Sequence, residues 1–344
     1  MLKVTLAAVM GIAFCLSARG AIDFQRHYRI AEAERVFYRK DYVEARSAFK
    51  DLAASATDPE EQDVLSARAA IALGYQDGQY TNALEEAAQI ANPPVAEYAR
   101  ITLLSSQSDW TGLIEEFGIA PIADWPVVRL PTRPIGGSED MRFYGLVKRA
   151  EAFDQTGAYR QAEQDLEKAL EMIADWRLRL ATLSKLAALR QSKLDDADGA
   201  YDVNLQISAL GRGGSRYFTG TLAAANYLRQ NGRYDEAVAM IESMNPRNMQ
   251  GGWQGRILIE LSRLLLEAGR PAEAADVFQA IVAHKDNSPV QRRSAALEAA
   301  AALSAAGRAQ AAIAAYKRLL DMADITDEQR VQAEMAISDL QGTE

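Results

Sequence analysis

One six-residue phrase recurs along the second half of the chain: Gly157-Ala158-Tyr159-Arg160-Gln161-Ala162, Gly232-Arg233-Tyr234-Asp235-Glu236-Ala237, Gly269-Arg270-Pro271-Ala272-Glu273-Ala274 and Gly307-Arg308-Ala309-Gln310-Ala311-Ala312. Four residues beyond each final alanine stands a large apolar residue, Leu166, Ile241, Phe278 or Tyr316. Three further on come Ala169, Met244, Ile281 and Leu319. Steps of 3 and 4 place these side chains on one face of a helix. The stretch before each phrase is also amphipathic, so each phrase reads as a turn between two helices. Glycine ends the first helix in a left-handed conformation that other residues adopt only at a cost. The alanine lies where the two helices cross, and its small size permits close approach.

Upstream positions agree with this unit: Leu146, Ala150 and Phe153 precede the first phrase, and Thr221, Ala225 and Leu228 the second. Leu258, Ser262 and Leu265 precede the third, and Ala296, Ala300 and Leu303 the fourth. The pattern resembles the tetratricopeptide repeat, a helix-turn-helix unit of about 34 residues. Successive turn alanines here lie 37 (Ala237 to Ala274) and 38 (Ala274 to Ala312) residues apart, so the units are slightly long. Looser copies extend the rhythm: Lys40 to Ala45, Gly78 to Ala83, Ser108 to Leu113, and Lys193 to Ala197 with Tyr201. The stretch from Asp327 to Leu340, opening at a Thr326 cap, reads as a single terminal helix of the kind that shields the end of a stack. The resemblance implies an all-α fold, an α-α superhelix (solenoid) of antiparallel helix pairs closed by this C-terminal capping helix.

Gly118 to Gly137 breaks the rhythm with four of the ten prolines, Pro121, Pro126, Pro131 and Pro134. That density forbids a helix. Residues 118–138 therefore read as a connector between N-terminal repeats over 22–117 and a better array over 139–342. Either Trp125 packs the connector onto the array, or it forms a strand-like arm that captures a partner.

At the N-terminus Lys3 precedes an apolar run from Val4 to Leu16 and the small-residue stretch Ser17-Ala18-Arg19-Gly20-Ala21. This reads as a secretory signal over residues 1–20, cleaved after Gly20, with a periplasmic or secreted destination. The run is too short for a membrane span. Phe14 stands before Cys15 where lipidation wants a small residue, which argues against a lipoprotein. Cys15 is the one cysteine, so the mature chain would form no disulfide.

The formal charge of -9 opposes binding to nucleic acid by bulk attraction to phosphate. His27 and His284 stand outside any HExxH or triad signature, and GxSxG and GxxxxGK[ST] are absent. Gly211 to Ser215 has the composition of a phosphate loop without its lysine. Counting Gly199 as the sixth position of a calcium loop puts Leu194 first and Leu205 twelfth, so both ligating ends fail. The sequence thus gives no catalytic residue, no metal site and no cofactor.

The work that remains is non-covalent. In the resembled family the first helix of each pair lines a groove that holds peptides or partner helices. The corresponding positions here are Asn226 and Arg229 in one unit and Arg256 and Arg263 in the next, a basic spot suited to a partner's carboxylate. The same arginines could instead pair with Glu260 and Glu267. Nearer the N-terminus Phe37, Tyr38, Tyr75 and Tyr98 stand at such positions, where rings seat apolar groups or stack on sugars. The reading is a scaffold for a protein or peptide partner in envelope assembly or maintenance, with a glycan- or small-ligand-binding accessory protein as the alternative.

Overall fold

The computed structural model describes residues 25–131, 138–211, 214–249, 253–284, 287–323 and 325–342. The expected signal segment, with Cys15, lies outside the described residues. The chain divides into two compact units that meet in sequence between Asp196 and Ala197.

In the first unit the helices are α1 (25–38), α2 (Tyr42–Ala54), α3 (Pro59–Gly74), α4 (Tyr80–Ala88), α5 (Pro93–Ser106), α6 (Trp110–Phe117), α7 (Met141–Gln155), α8 (Tyr159–Met172) and α9 (Trp176–Ser192). The second holds α10 (Ala197–Ala209), α11 (Ser215–Gln230), α12 (Tyr234–Ser243), α13 (Trp253–Glu267), α14 (Pro271–Ala283), α15 (Pro289–Ala305), α16 (Ala309–Leu320) and α17 (Asp327–Gly342). Consecutive helices pack on each other within each unit, so the fold is all-α, of the α-α superhelix class. Local signals place the helix starts. The carboxylates of Asp109, Asp140 and Asp175 accept from first-turn N–H groups at 2.8–3.2 Å, and prolines open α3, α5, α14 and α15.

The turn chemistry is uniform. φ is positive at Gly78, Gly157, Gly232, Gly269 and Gly307, and also at Lys40, Ser108 and Asp195. In six of these eight turns the next N–H bonds to the carbonyl five residues back, at 2.8–3.3 Å, from Asp41 to Val36 through Arg308 to Leu303. That bond closes the first helix and reverses the chain. Five residues after each positive-φ position lies a side chain with no exposed surface: Ala45, Ala83, Leu113, Ala162, Ala200, Ala237, Ala274 and Ala312. One expected register is corrected. In the fifth turn the left-handed residue is Asp195 and not Lys193, and the fully buried alanine that follows is Ala200 and not Ala197. Aspartate tolerates the left-handed region through its short polar side chain, which is why no glycine marks this turn.

The described part of the proline-rich segment up to Val128 lies inside the first unit and packs on α7. A 3₁₀ turn at Ile122–Asp124 sets Ile122 and Trp125 against α7 at Gly145, where an added Cβ would stand 3.0 Å from Ile122 Cγ2 and 3.4 Å from Trp125 Cζ3. Ile122, Trp125 and Val128 share a core with Met141, Phe143 and Leu146. Arg149 clamps the same segment, donating to the carbonyls of Phe117 at 3.1 Å and Ala120 at 2.5 Å. Its other guanidinium edge meets Asp165 of α8 in two bonds of 2.7 Å. Beyond Val128 the chain forms a short antiparallel pair, β1 (Arg129–Pro131) with β2 (Ser138–Asp140), with Arg129 opposite Asp140. At the other end Thr326 Oγ1 accepts from the Gln329 N–H at 3.2 Å, opening α17, which buries Ala333 against the core that α15 and α16 share.

Two substitutions should move stability in opposite directions. Ala274→Leu overpacks a crossing and should cost about 1–3 kcal/mol. Asp195→Gly relieves a left-handed residue and should add about 1 kcal/mol. Urea midpoints read both, with the slope unchanged if each acts on the folded state alone.

Candidate functional site

Charged side chains reach this surface because the first helix of each pair packs with only part of its circumference. On α13, Arg256, Glu260, Arg263 and Glu267 follow one another at steps of 4, 3 and 4, a single helical stripe. On α11, Asn226 and Arg229 stand three apart and face that stripe. Together they border a groove of about 410 Å³ whose apolar floor includes Leu222, Ala225, Ile241 and Leu264. All four basic-spot residues read from the sequence, Asn226, Arg229, Arg256 and Arg263, therefore line one groove.

Its arginines differ in how firmly they are held. Arg229 Nη1 meets both oxygens of Glu267 at 3.0 and 3.2 Å, while its Nε and Nη2 donate to Asn226 Oδ1 at 3.1 and 2.8 Å. The pair joins α11 to α13, so it crosses between helices. Arg263 reaches Glu260 on its own helix at 3.4 Å, a loose contact, and its side chain is 65% exposed. The Arg256 guanidinium lies 5.3 Å from the Trp253 ring centre. Three guanidiniums thus stand against two carboxylates, and only Arg229 is fully engaged.

The aromatic residues are arranged differently. Phe37, Tyr38 and Tyr75 come together, with Phe37 edge-on to Tyr38 at 5.8 Å and to Tyr75 at 5.6 Å. Tyr42, the tyrosine of the first turn phrase, completes the group by stacking on Tyr75 at 5.1 Å. Tyr98 is buried and meets Tyr144 at 6.5 Å, and burial pushes its hydroxyl pKa up. The face of Phe37 is covered by the Arg68 guanidinium at 4.6 Å, itself held by Glu34 through bonds of 2.7 and 2.5 Å. Phe37 and Tyr98 thus serve the packed interior, while Tyr38 is 68% exposed.

Glu260 and Glu267 are legible in the sequence as partners for these arginines, whereas Trp253 and Thr219, which also help to build this region, carry no such signal. A second groove, between α7 and α9, is bordered by Glu151, Asp154, Lys185 and Lys193. The signal was available: Asp154 stands three residues before its turn glycine, as Arg229 does before Gly232. Among the described residues no three His, Cys, Asp or Glu side chains gather as a metal site, and no helix is long and apolar enough to cross a membrane.

A family model described as tetratricopeptide repeat matches residues 228–301, from the end of α11 into α15. That segment carries Arg229, Arg256 and Arg263. Similar solved structures include a tetratricopeptide repeat protein of Parabacteroides merdae, at 13% identity over 91% of this chain and 99% of that one, with a TM-score of 0.31. Pseudomonas aeruginosa pilF is 17% identical over 67% of this chain and 97% of its own, TM-score 0.38. PilW, a type IV pilus biogenesis factor, is 14% identical over 69% and 97%, TM-score 0.34. Likeness at these levels carries nothing about partners. No curated protein matches the sequence.

The two kinds of arginine should separate in thermal unfolding. Arg229→Ala and Glu267→Gln break a pair exposed by about two-fifths on both sides and should cost under about 1 kcal/mol. Arg149→Ala and Arg68→Ala each strand a buried carboxylate and should cost about 3–5 kcal/mol.

Proposed function

We propose that the protein is a non-catalytic, exported scaffold that holds an acidic, extended segment of a partner protein in the α11–α13 groove, in the service of cell-envelope assembly or maintenance. One observation carries the reading: three guanidiniums line a groove with an apolar floor, in a chain whose overall charge is negative. Such residues do little for stability where they are exposed, and their planar donors suit carboxylates. The groove is formed before any partner arrives, so binding avoids most of the ordering cost. Repeat helices supply the setting, since tetratricopeptide repeats in general act as interaction surfaces. Export rests on the basic, apolar and small-residue sequence of residues 1–20.

A fluorescein-labelled, glutamate-rich decapeptide tests the groove by anisotropy. Wild type should bind it with an affinity that falls as salt rises, and Arg229→Glu with Arg263→Glu should weaken it at least tenfold. Equal affinity in the double variant would overturn the reading. Export has its own readout: protein recovered from a periplasmic fraction should begin at Ala21 by intact mass, and a retained Met1 would contradict it.

A further inference from the structure

A third groove, of about 370 Å³, opens in the first unit between α2, the α3–α4 turn and α4. Local spacing builds it. Tyr42, Arg46 and Lys50 follow one another at steps of four along α2, and Asn82, Glu86 and Gln89 at steps of four and three along α4, so each set forms one stripe. Gln76 and Gln79 reach the groove from the turn between α3 and α4.

Charge joins the two stripes and then cancels. Arg46 Nη2 meets Glu86 Oε1 at 2.7 Å, and Lys50 Nζ reaches the same oxygen at 3.1 Å. Two cations, Arg46 and Lys50, thus stand against two carboxylates, Glu85 and Glu86. Hydrogen-bonding capacity is left over. Among the described residues Arg46 Nη1 and Glu86 Oε2 have no partner, and neither atom is shut off from solvent. Gln79 Oε1 accepts from Asn82 Nδ2 at 2.8 Å, which leaves Gln79 Nε2 to donate and Asn82 Oδ1 to accept. Gln76 Nε2 donates to the carbonyl of Tyr42 at 3.2 Å, and Gln76 Oε1 stays open. These amides set donors and acceptors side by side, which suits hydroxyl groups, since each hydroxyl does both.

Next to Gln76 the groove meets aromatic surface. Tyr75 stacks on Tyr42 at 5.1 Å with 29° between the planes, and Phe37 stands edge-on to Tyr75 at 5.6 Å. Tyr75 nevertheless remains 39% exposed. We propose that this surface binds a neutral oligosaccharide built of pyranose rings with equatorial hydroxyls. One sugar lays its C–H face on Tyr75, and the next places its hydroxyls among the amides, with two adjacent hydroxyls bridging Arg46 Nη1 and Glu86 Oε2. Equatorial hydroxyls leave the C–H face flat, and the negative face of an aromatic ring attracts those polarised hydrogens. The cancelled charge gives no hold on a uronic acid or a phosphorylated sugar. A peptide would want pockets for apolar side chains, whereas Leu73, which supplies apolar lining here, is buried. This site lies in the other unit from the arginine groove and takes an uncharged ligand, so the two readings stand or fall separately.

Saturation-transfer NMR on the full chain tests the site with cellotetraose, laminaritetraose and chitotetraose. Tetragalacturonate and an acetylated, amidated Gly-Ser decapeptide serve as comparisons. At least one of the three neutral sugars should take up saturation at its ring C–H protons and bind at least fivefold more tightly than either comparison. Tyr75→Ala should weaken that binding at least fivefold, and Tyr75→Phe should keep it. Gln79→Ala with Gln89→Ala, which removes amides that bond to no other helix, should weaken it as much while melting with wild type. Arg229→Glu should leave it unchanged. Binding of none of the three sugars, equal binding of tetragalacturonate or the peptide, or full binding by the double glutamine variant would each overturn the proposal.

Discussion

Each repeat depends on a left-handed residue that stops one helix, followed five positions later by a side chain with no exposed surface where the next helix crosses back. The Schellman-type bond aims the second helix, and the small residue sets how near it can lie. Everything else follows from that spacing. The large apolar residues four and seven positions beyond the crossing reach the core because the crossing is tight. The first helix of each pair keeps a free stripe because only part of its surface is used. Leu113 shows the tolerance of the arrangement: a larger side chain fits in the third crossing, between the short helix α6 and α5, while the turn at Ser108 keeps its positive φ.

Charge is distributed to match. Arginines that build the fold are buried, bidentate and often over a ring: Arg68 with Glu34 under Phe37, and Arg149 with Asp165 near Phe153. Those that face the α11–α13 groove are more exposed: Arg229 holds Glu267 in a pair open to water, Arg263 is loosely paired, and Arg256 stacks on a single ring. Removing a partner from the first kind leaves an uncompensated charge in a low dielectric. The same change in the second kind is cushioned by water. That contrast distinguishes surface available for recognition from the machinery of the stack.

The helical turns were legible because their chemistry is local. Glycine at the left-handed position, alanine at the crossing and apolar residues at steps of 3 and 4 need no tertiary knowledge, and Asn226, Arg229, Arg256 and Arg263 could be placed on one surface by counting from the turns. The register of the fifth turn could not, because an aspartate performs glycine's role there, and Lys193 offered a false start two residues early. The proline-rich segment was legible only in part, for a related reason. Proline reports that a helix is impossible but not where the chain goes, and Gly145, which receives Ile122 and Trp125, gives no sign of it in the sequence.

Periodicity and turn residues by themselves determined the class of fold, the pairing of neighbouring helices and which face of each looks outward, since these depend on backbone sterics within some forty residues. Tertiary structure alone decided which outward side chains are already spoken for. Whether Arg229 meets Glu267 and whether Tyr98 is buried depend on helices brought side by side from distant parts of the chain, and pairing energies change with that burial far more than with residue type.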